Sequence, residues 1–151
     1  MLSKQQHYIN LSTKKRDGTY VNTPVWFAHA NPSTLYVYSV KNSGKVKRIR
    51  NFRRVRLASC NAIGKLKGEW FSGDAILIDK NNEIDTAFSL LRQKYGYRFL
   101  IANICSKIVG NYHRRQIIKL NICQSMPIQK KVQIISSLIQ RLKKVMNQLI
   151  L

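Results

Sequence analysis

The chain has 151 residues, of which 44% are hydrophobic and 22% charged, with 27 Lys and Arg against 6 Asp and Glu for a net charge of +21. That is the length of one domain with enough apolar sequence to bury a core, which excludes a disordered tail or a multidomain assembly. A chain so basic repels itself unless it meets an anion, so its function should involve one.

The six acids are Asp17, Glu69, Asp74, Asp79, Glu83 and Asp85, so the stretch from Thr86 to Leu151 holds twelve Lys and Arg and no carboxylate. Three widely spaced cysteines, Cys60, Cys105 and Cys123, suit neither a disulfide scaffold nor a zinc site and fit a reducing compartment. The first residues lack the apolar core of a signal peptide, and no apolar run reaches the roughly 18 residues of a membrane span. These features predict a soluble, cytoplasmic protein without a transmembrane segment.

Tyr8 to Lys15 reads as a strand, reversed by the Asp-Gly turn at Arg16-Asp17-Gly18 into a second arm over Thr19 to Ala28. Pro24, inside that arm, cannot donate to a ladder; it belongs at a strand edge, at a bulge, or where something other than a strand lies alongside. Leu35 to Val40 has the β-branched and aromatic composition of a third strand, stopped by Asn42-Ser43-Gly44. Lys45 to Phe52 then places Val46 and Ile49 on one face of a short helix. Val55 to Asn61 and Gly68 to Asp79 read as the fourth and fifth strands.

From Asn82 the period changes to that of a helix carrying Ile84, Ala87, Phe88, Leu91 and Tyr95 and ending near Gly96; Tyr97 to Val109 continues in helical style. Arg114 to Ile122 is a last strand. About six strands with a few helices predict a mainly β fold, a small antiparallel barrel decorated by helices, over residues 1–122. Residues 123–151 form a different unit, a basic amphipathic helix from Pro127. It either packs on its own domain or a partner copy, or lies on an anionic membrane surface.

The densest basic segment is Lys41 to Arg56, where eight of sixteen residues are Lys or Arg. A solvated face or a nucleic-acid patch has the same composition. Its opening is more informative: a strand ending in Ser39, a turn through Ser43 and Gly44, and a helix starting at Lys45. These offer hydroxyls, backbone N–H groups and an ammonium at the positive end of a helix dipole, which suits a phosphate monoester. Neither a P-loop nor a Gly-x-Gly-x-x-Gly fingerprint is present, which disfavours ATP and Rossmann-bound cofactors.

In order and spacing, Arg16-Asp17-Gly18, Thr23-Pro24-Val25-Trp26, Leu35-Tyr36-Val37 with Ser39, Ser43-Gly44-Lys45-Val46-Lys47-Arg48-Ile49-Arg50, and Val55-Arg56-Leu57-Ala58-Ser59-Cys60 resemble the pyridoxamine 5'-phosphate oxidase-like superfamily, and within it the F-420-dependent oxidoreductase branch. The likeness extends through Lys94-Tyr95-Gly96-Tyr97, fades after Ile122, and covers about four-fifths of the chain. It implies a six-stranded antiparallel split β-barrel of the FMN-binding type, with an added C-terminal helix, that forms a homodimer holding FMN or F-420 in a groove at the subunit interface.

By the same resemblance, Lys45 faces the cofactor phosphate beside Ser39, Ser43 and Gly44, with Lys47 and Arg48 in the adjoining basic turn. Thr23, Pro24 and Val25 run beside the ring system. Trp26 belongs either against the ring or in the core or dimer interface. The chain departs from the family in Ala58-Ser59-Cys60, where Ala-Pro-Cys is usual, and in its longer C-terminus. Cys60 is read as a buried structural thiol in preference to one near the cofactor.

His7, His29 and His113 have no paired carboxylate or cysteine, so hydrolytic triads and metal sites are unsupported and no catalytic residue is assigned. That suits a redox cofactor, which brings its own chemistry. The expected activity is hydride transfer between FMN or F-420 and a small organic substrate. The alternative is a non-enzymatic binder, either a flavin carrier or a nucleic-acid protein; Tyr36 and Tyr38 make only a thin stacking platform for bases.

Overall fold

A computed structural model describes residues 2–99, 115–123 and 128–149. Its strands are β1 (Tyr8–Lys14), β2 (Tyr20–Asn31), β3 (Thr34–Val40), β4 (Arg54–Cys60), β5 (Phe71–Ile78) and β6 (Arg115–Ile122). The described helices are α1 (Gly44–Asn51), α2 (Asn81–Tyr95) and α3 (Ile128–Leu149). All strand pairs are antiparallel, and the strands close in the order β1-β2-β3-β6-β5-β4.

Alternation along each strand sorts the barrel's two faces. Ile9 and Leu11 of β1, Val25 and Phe27 of β2, Leu35 and Val37 of β3, Val55 and Leu57 of β4, and Ile118 and Leu120 of β6 share the buried interior cluster. The other face of β2, β3 and β6 supplies Ala28, Tyr36 and Ile117, which α2 covers with Ala87, Leu91 and Tyr95. Helix α1 has no such sheet face to cover. It lies across one end of the barrel, the end where β1 and β3 stop, and sends Val46 and Ile49 into the interior cluster.

Several boundaries differ from the sequence reading. Strand β2 continues three residues past Ala28, because the reversal falls at Asn31-Pro32-Ser33, where Asn31 Oδ1 accepts the Ser33 N–H at 3.0 Å. Strand β5 starts at Phe71, not Gly68. Residues 61–70 form a loop held by the Lys67 N–H on the Ser59 carbonyl (2.8 Å) and by Asn61 Oδ1, which accepts the Lys65 N–H (2.8 Å). Helix α1 opens one residue earlier than expected, at Gly44. The expectation of a helix over Tyr97 to Val109 lies beyond Phe99 outside the described residues, as do Pro127, Cys105 and His113.

Tyr95 ties α2 to the barrel. Its buried hydroxyl accepts the Phe27 N–H at 2.9 Å and lies within donating distance of the His7 and Phe27 carbonyls, at 2.7 and 2.8 Å. It replaces one rung of the ladder where β1 gives out. Trp26 stacks on the Tyr95 ring, with centroids 4.8 Å apart and planes 12° from parallel, so this aromatic belongs to the layer between β2 and α2. One residue earlier in α2, the Lys94 ammonium sits 3.6 Å from the centre of the Phe27 ring, and burial lowers its pKa to about 8.

Candidate functional site

The site lies at the α1 end of the barrel and begins with a gap between strands. Strand β2 pairs with β3 only from Phe27 to Asn31, against Val37 to Thr34. Its earlier half, Tyr20 to Trp26, pairs with β1 alone, while Tyr38 to Val40 pair with β6 alone. Continuing the register beyond Phe27 and Val37 would set Val25 opposite Ser39 and Pro24 opposite Val40, but those pairs are not made. Thr23-Pro24-Val25 and the Ser39 end of β3 are therefore the two lips of one split in the barrel wall.

Pro24 explains one lip. Phe27 turns its N–H and C=O toward Tyr95 on the β1 side. Alternation along the regular β1–β2 register therefore turns the Pro24 nitrogen to the opposite edge, facing the split. The residue without an N–H thus stands where no strand lies alongside. Its ring is held on the outer surface by the 61–70 loop: Asn10 Nδ2 donates to the Gly64 carbonyl at 2.7 Å, and a Cβ at Gly64 would lie 3.7 Å from Pro24 Cγ and Cδ. Gly64 has φ +85°, a backbone conformation that favours glycine, so the turn of the loop there, not a lack of space, calls for this residue.

The other lip carries the polar cluster. Ser39 is buried at the end of β3, and its Oγ lies 3.0 Å from Ser43 Oγ and accepts from the Lys45 ammonium at 3.2 Å. Ser43 is the N-cap of α1, yet its hydroxyl faces Ser39 and makes no capping bond to the helix. The first N–H groups of α1 have no intrahelical acceptor, so they remain as donors beside the ammonium. Arg48, one turn on, donates from Nε to Thr13 Oγ1 at 2.7 Å, and its guanidinium lies back over the start of the helix. A Cβ at Gly44 would come within 2.8 Å of Arg48 Nη1, so glycine leaves that space to the guanidinium. Lys47, on the opposite face of α1, is exposed.

The electrostatics of this end are unbalanced. The half-buried Lys45 ammonium is held below the usual lysine range, first by burial and then by the Arg48 charge. Among the described residues the ion pairs join Arg54 to Asp74 and Lys119 to Glu83, and neither involves Lys45 or Arg48. Two cations, two hydroxyls and an uncapped helix terminus thus face one place with no carboxylate between them. An anion entering there would relieve the repulsion between the cations and fill the vacant acceptor role.

The residues singled out from sequence thus gather in two places, Thr23, Pro24 and Val25 on one lip and Ser39, Ser43, Gly44, Lys45 and Arg48 on the other, with Lys47 directed away. Thr13 and the Asn10–Gly64 clasp were not singled out, because both depend on which strand neighbours β1. Cys60 is buried at the far end of β4, and burial pushes its thiol pKa up. His7 and His29 also lie at the far end of the barrel, by Tyr95 and Phe27.

Six antiparallel strands closed around an interior core, opened by a split between β2 and β3 and plugged by a short helix, define the split-barrel fold of the pyridoxamine 5'-phosphate oxidase-like proteins. Solved structures share it. A candidate pyridoxamine 5'-phosphate oxidase from Listeria innocua superposes with a TM-score of 0.54 at 17% identity, over 80% of this chain and 86% of that one. The heme storage protein HutZ from Vibrio cholerae gives 0.58 at 12% identity, over 80% and 84%. An F420 reductase gives 0.51 at 14% identity, over 80% and 90%. No family model and no curated protein sequence matches the chain.

Proposed function

We propose that this protein is an oxidoreductase that binds FMN or F-420 in the split between β2 and β3 and transfers a hydride between that cofactor and a small organic substrate. The observation that carries the reading is the cation-rich, carboxylate-free cluster of Ser39, Ser43, Lys45 and Arg48 on the lip facing Thr23-Pro24-Val25. Its donor set fits a phosphate, and the unpaired edge at Pro24 leaves room beside the backbone for a flat ring. The pyridoxamine 5'-phosphate oxidase and F420 reductase neighbours support a cofactor of this class on this fold.

Lys45 would pair with the phosphate while Ser39 and Ser43 orient it, and Arg48, steadied by Thr13, would close over the helix terminus. The backbone of Thr23 to Val25 would set the plane of the ring. Once bound, the cofactor supplies the hydride chemistry. The chain's part is to hold it and keep cations near the charge that develops on reduction. The cofactor lies where two copies meet, so the working form is a homodimer.

Heme is the competing occupant to test, because a heme storage protein shares the fold. Titrating purified protein with FMN, F-420 and hemin, and following ligand fluorescence or absorbance, tests the assignment. Micromolar or tighter binding of FMN or F-420 that weakens in Lys45→Ala supports it, and indifference to both overturns it.

A further inference from the structure

Helix α3 is not used by the proposed cofactor site. It spans 22 residues, about 33 Å at a rise of 1.5 Å per residue. Ile135, Leu138, Ile139, Leu142, Val145 and Met146 are each about half or more exposed. At 100° per residue these six fall within an arc of about 120°, and Arg141 and Lys143 flank its two edges. Lys144 adds a third cation, on the polar face of the stretch from Ile135 to Met146, and the helix holds no acid.

From these features we infer that α3 is an interfacial helix that docks this protein on an anionic lipid surface, its apolar arc among the acyl chains and its basic flanks at the headgroups. Charge complementarity selects this occupant. All six acids of the chain precede Thr86, so a second copy of α3 laid on the first would bring Arg141 and Lys143 against like charges with no carboxylate to answer them. A nucleic acid would use the cations but leave the apolar arc in water. A lipid surface bearing anionic headgroups meets both demands, and basic residues at the margins of the apolar arc can extend their heads to the phosphates. No helix among the described residues is long and apolar enough to cross a membrane, so α3 lies on the surface.

The test is flotation of the full chain with vesicles of phosphatidylcholine alone and of phosphatidylcholine with one-third phosphatidylglycerol, across a salt series. The inference predicts binding to the anionic vesicles only, weakening as salt rises. Leu138→Glu with Leu142→Glu should reduce the bound fraction at least tenfold, and because both side chains are exposed the melting temperature should hold. Lys143→Glu with Lys144→Glu should also reduce binding. Failure to float overturns the inference, as does unchanged flotation of the Leu138/Leu142 variant, which would mean attraction by charge alone. Conversion of a dimer to a monomer by that variant in sedimentation velocity would overturn it too, because a second copy would then cover the face.

Discussion

Replacing Lys45 by alanine tests the phosphate reading one atom at a time. The ammonium donates to Ser39 Oγ at 3.2 Å, half-buried and crowded by Arg48, with no carboxylate in reach among the described residues. A phosphate placed there gains a hydrogen bond to a charged group, about 1.5–3 kcal/mol, so the variant should bind FMN about 10- to 150-fold more weakly. Riboflavin, which lacks the phosphate, should bind wild type and variant alike within about twofold, because Thr23 to Val25 are untouched. Fluorescence titrations with both ligands give the four constants. Stability of the free variant should not fall, since the substitution removes a desolvated charge from beside another cation. Equal losses for FMN and riboflavin, or no loss for either, would refute the placement of the phosphate at Lys45.

Gly44→Ala should displace the Arg48 guanidinium, whose Nη1 lies 2.8 Å from the new Cβ, and lower FMN affinity several-fold. Its stability should stay within about 1 kcal/mol, as the helical gain of alanine offsets the disturbed bond to Thr13; unchanged affinity in the same titration would contradict the role given to Arg48. Tyr95→Phe leaves the buried Phe27 N–H without its acceptor at a cost of about 1–3 kcal/mol, which thermal unfolding should report as a fall of roughly 3–10 °C. Lys94 has its pKa lowered to about 8 in the folded protein, against 10.5 for an ordinary lysine. The unfolded chain therefore holds the extra proton between those values, and stability rises with pH across that window. Lys94→Met should remove this part of the rise, so the difference in urea midpoint between wild type and variant should change between pH 8 and 10; a constant difference would place Lys94 in water.

Much of the barrel is legible because it is local. The period-2 alternation of Thr19 to Ala28, the β-branched and aromatic composition of Leu35 to Val40, the Asp17-Gly18 turn and the helical period from Asn82 each act within a few residues. The Asp17 carboxylate accepts the Thr19 hydroxyl at 2.7 Å and the Thr19 N–H at 2.9 Å, which hold its pKa below the usual range. The Ser39–Ser43–Lys45 grouping is also local, a strand, a turn and one helical turn, and composition with spacing reveals it. What is not legible depends on pairing across the chain. Arg48 finds Thr13 35 residues away only because β1 lies under α1. The split appears only when the β2–β3 register stops at Phe27 and Val37; Pro24 signals an interrupted ladder but not which neighbouring strand is lost. The end of β2 and the start of β5 are not legible for a similar reason. Asn31-Pro32-Ser33 and the 61–70 loop are held by side-chain-to-backbone bonds that alternation does not register.

The central claim is that the cation cluster between the lips of the split holds the phosphate of a flavin or deazaflavin. Mass spectrometry and absorbance of the small molecule released by heating protein purified under mild conditions test it most directly. The account predicts FMN or F-420, bound at one per chain in wild type and depleted in Lys45→Ala. Release of heme, or of no chromophore from protein that then fails to take up either compound, would contradict it.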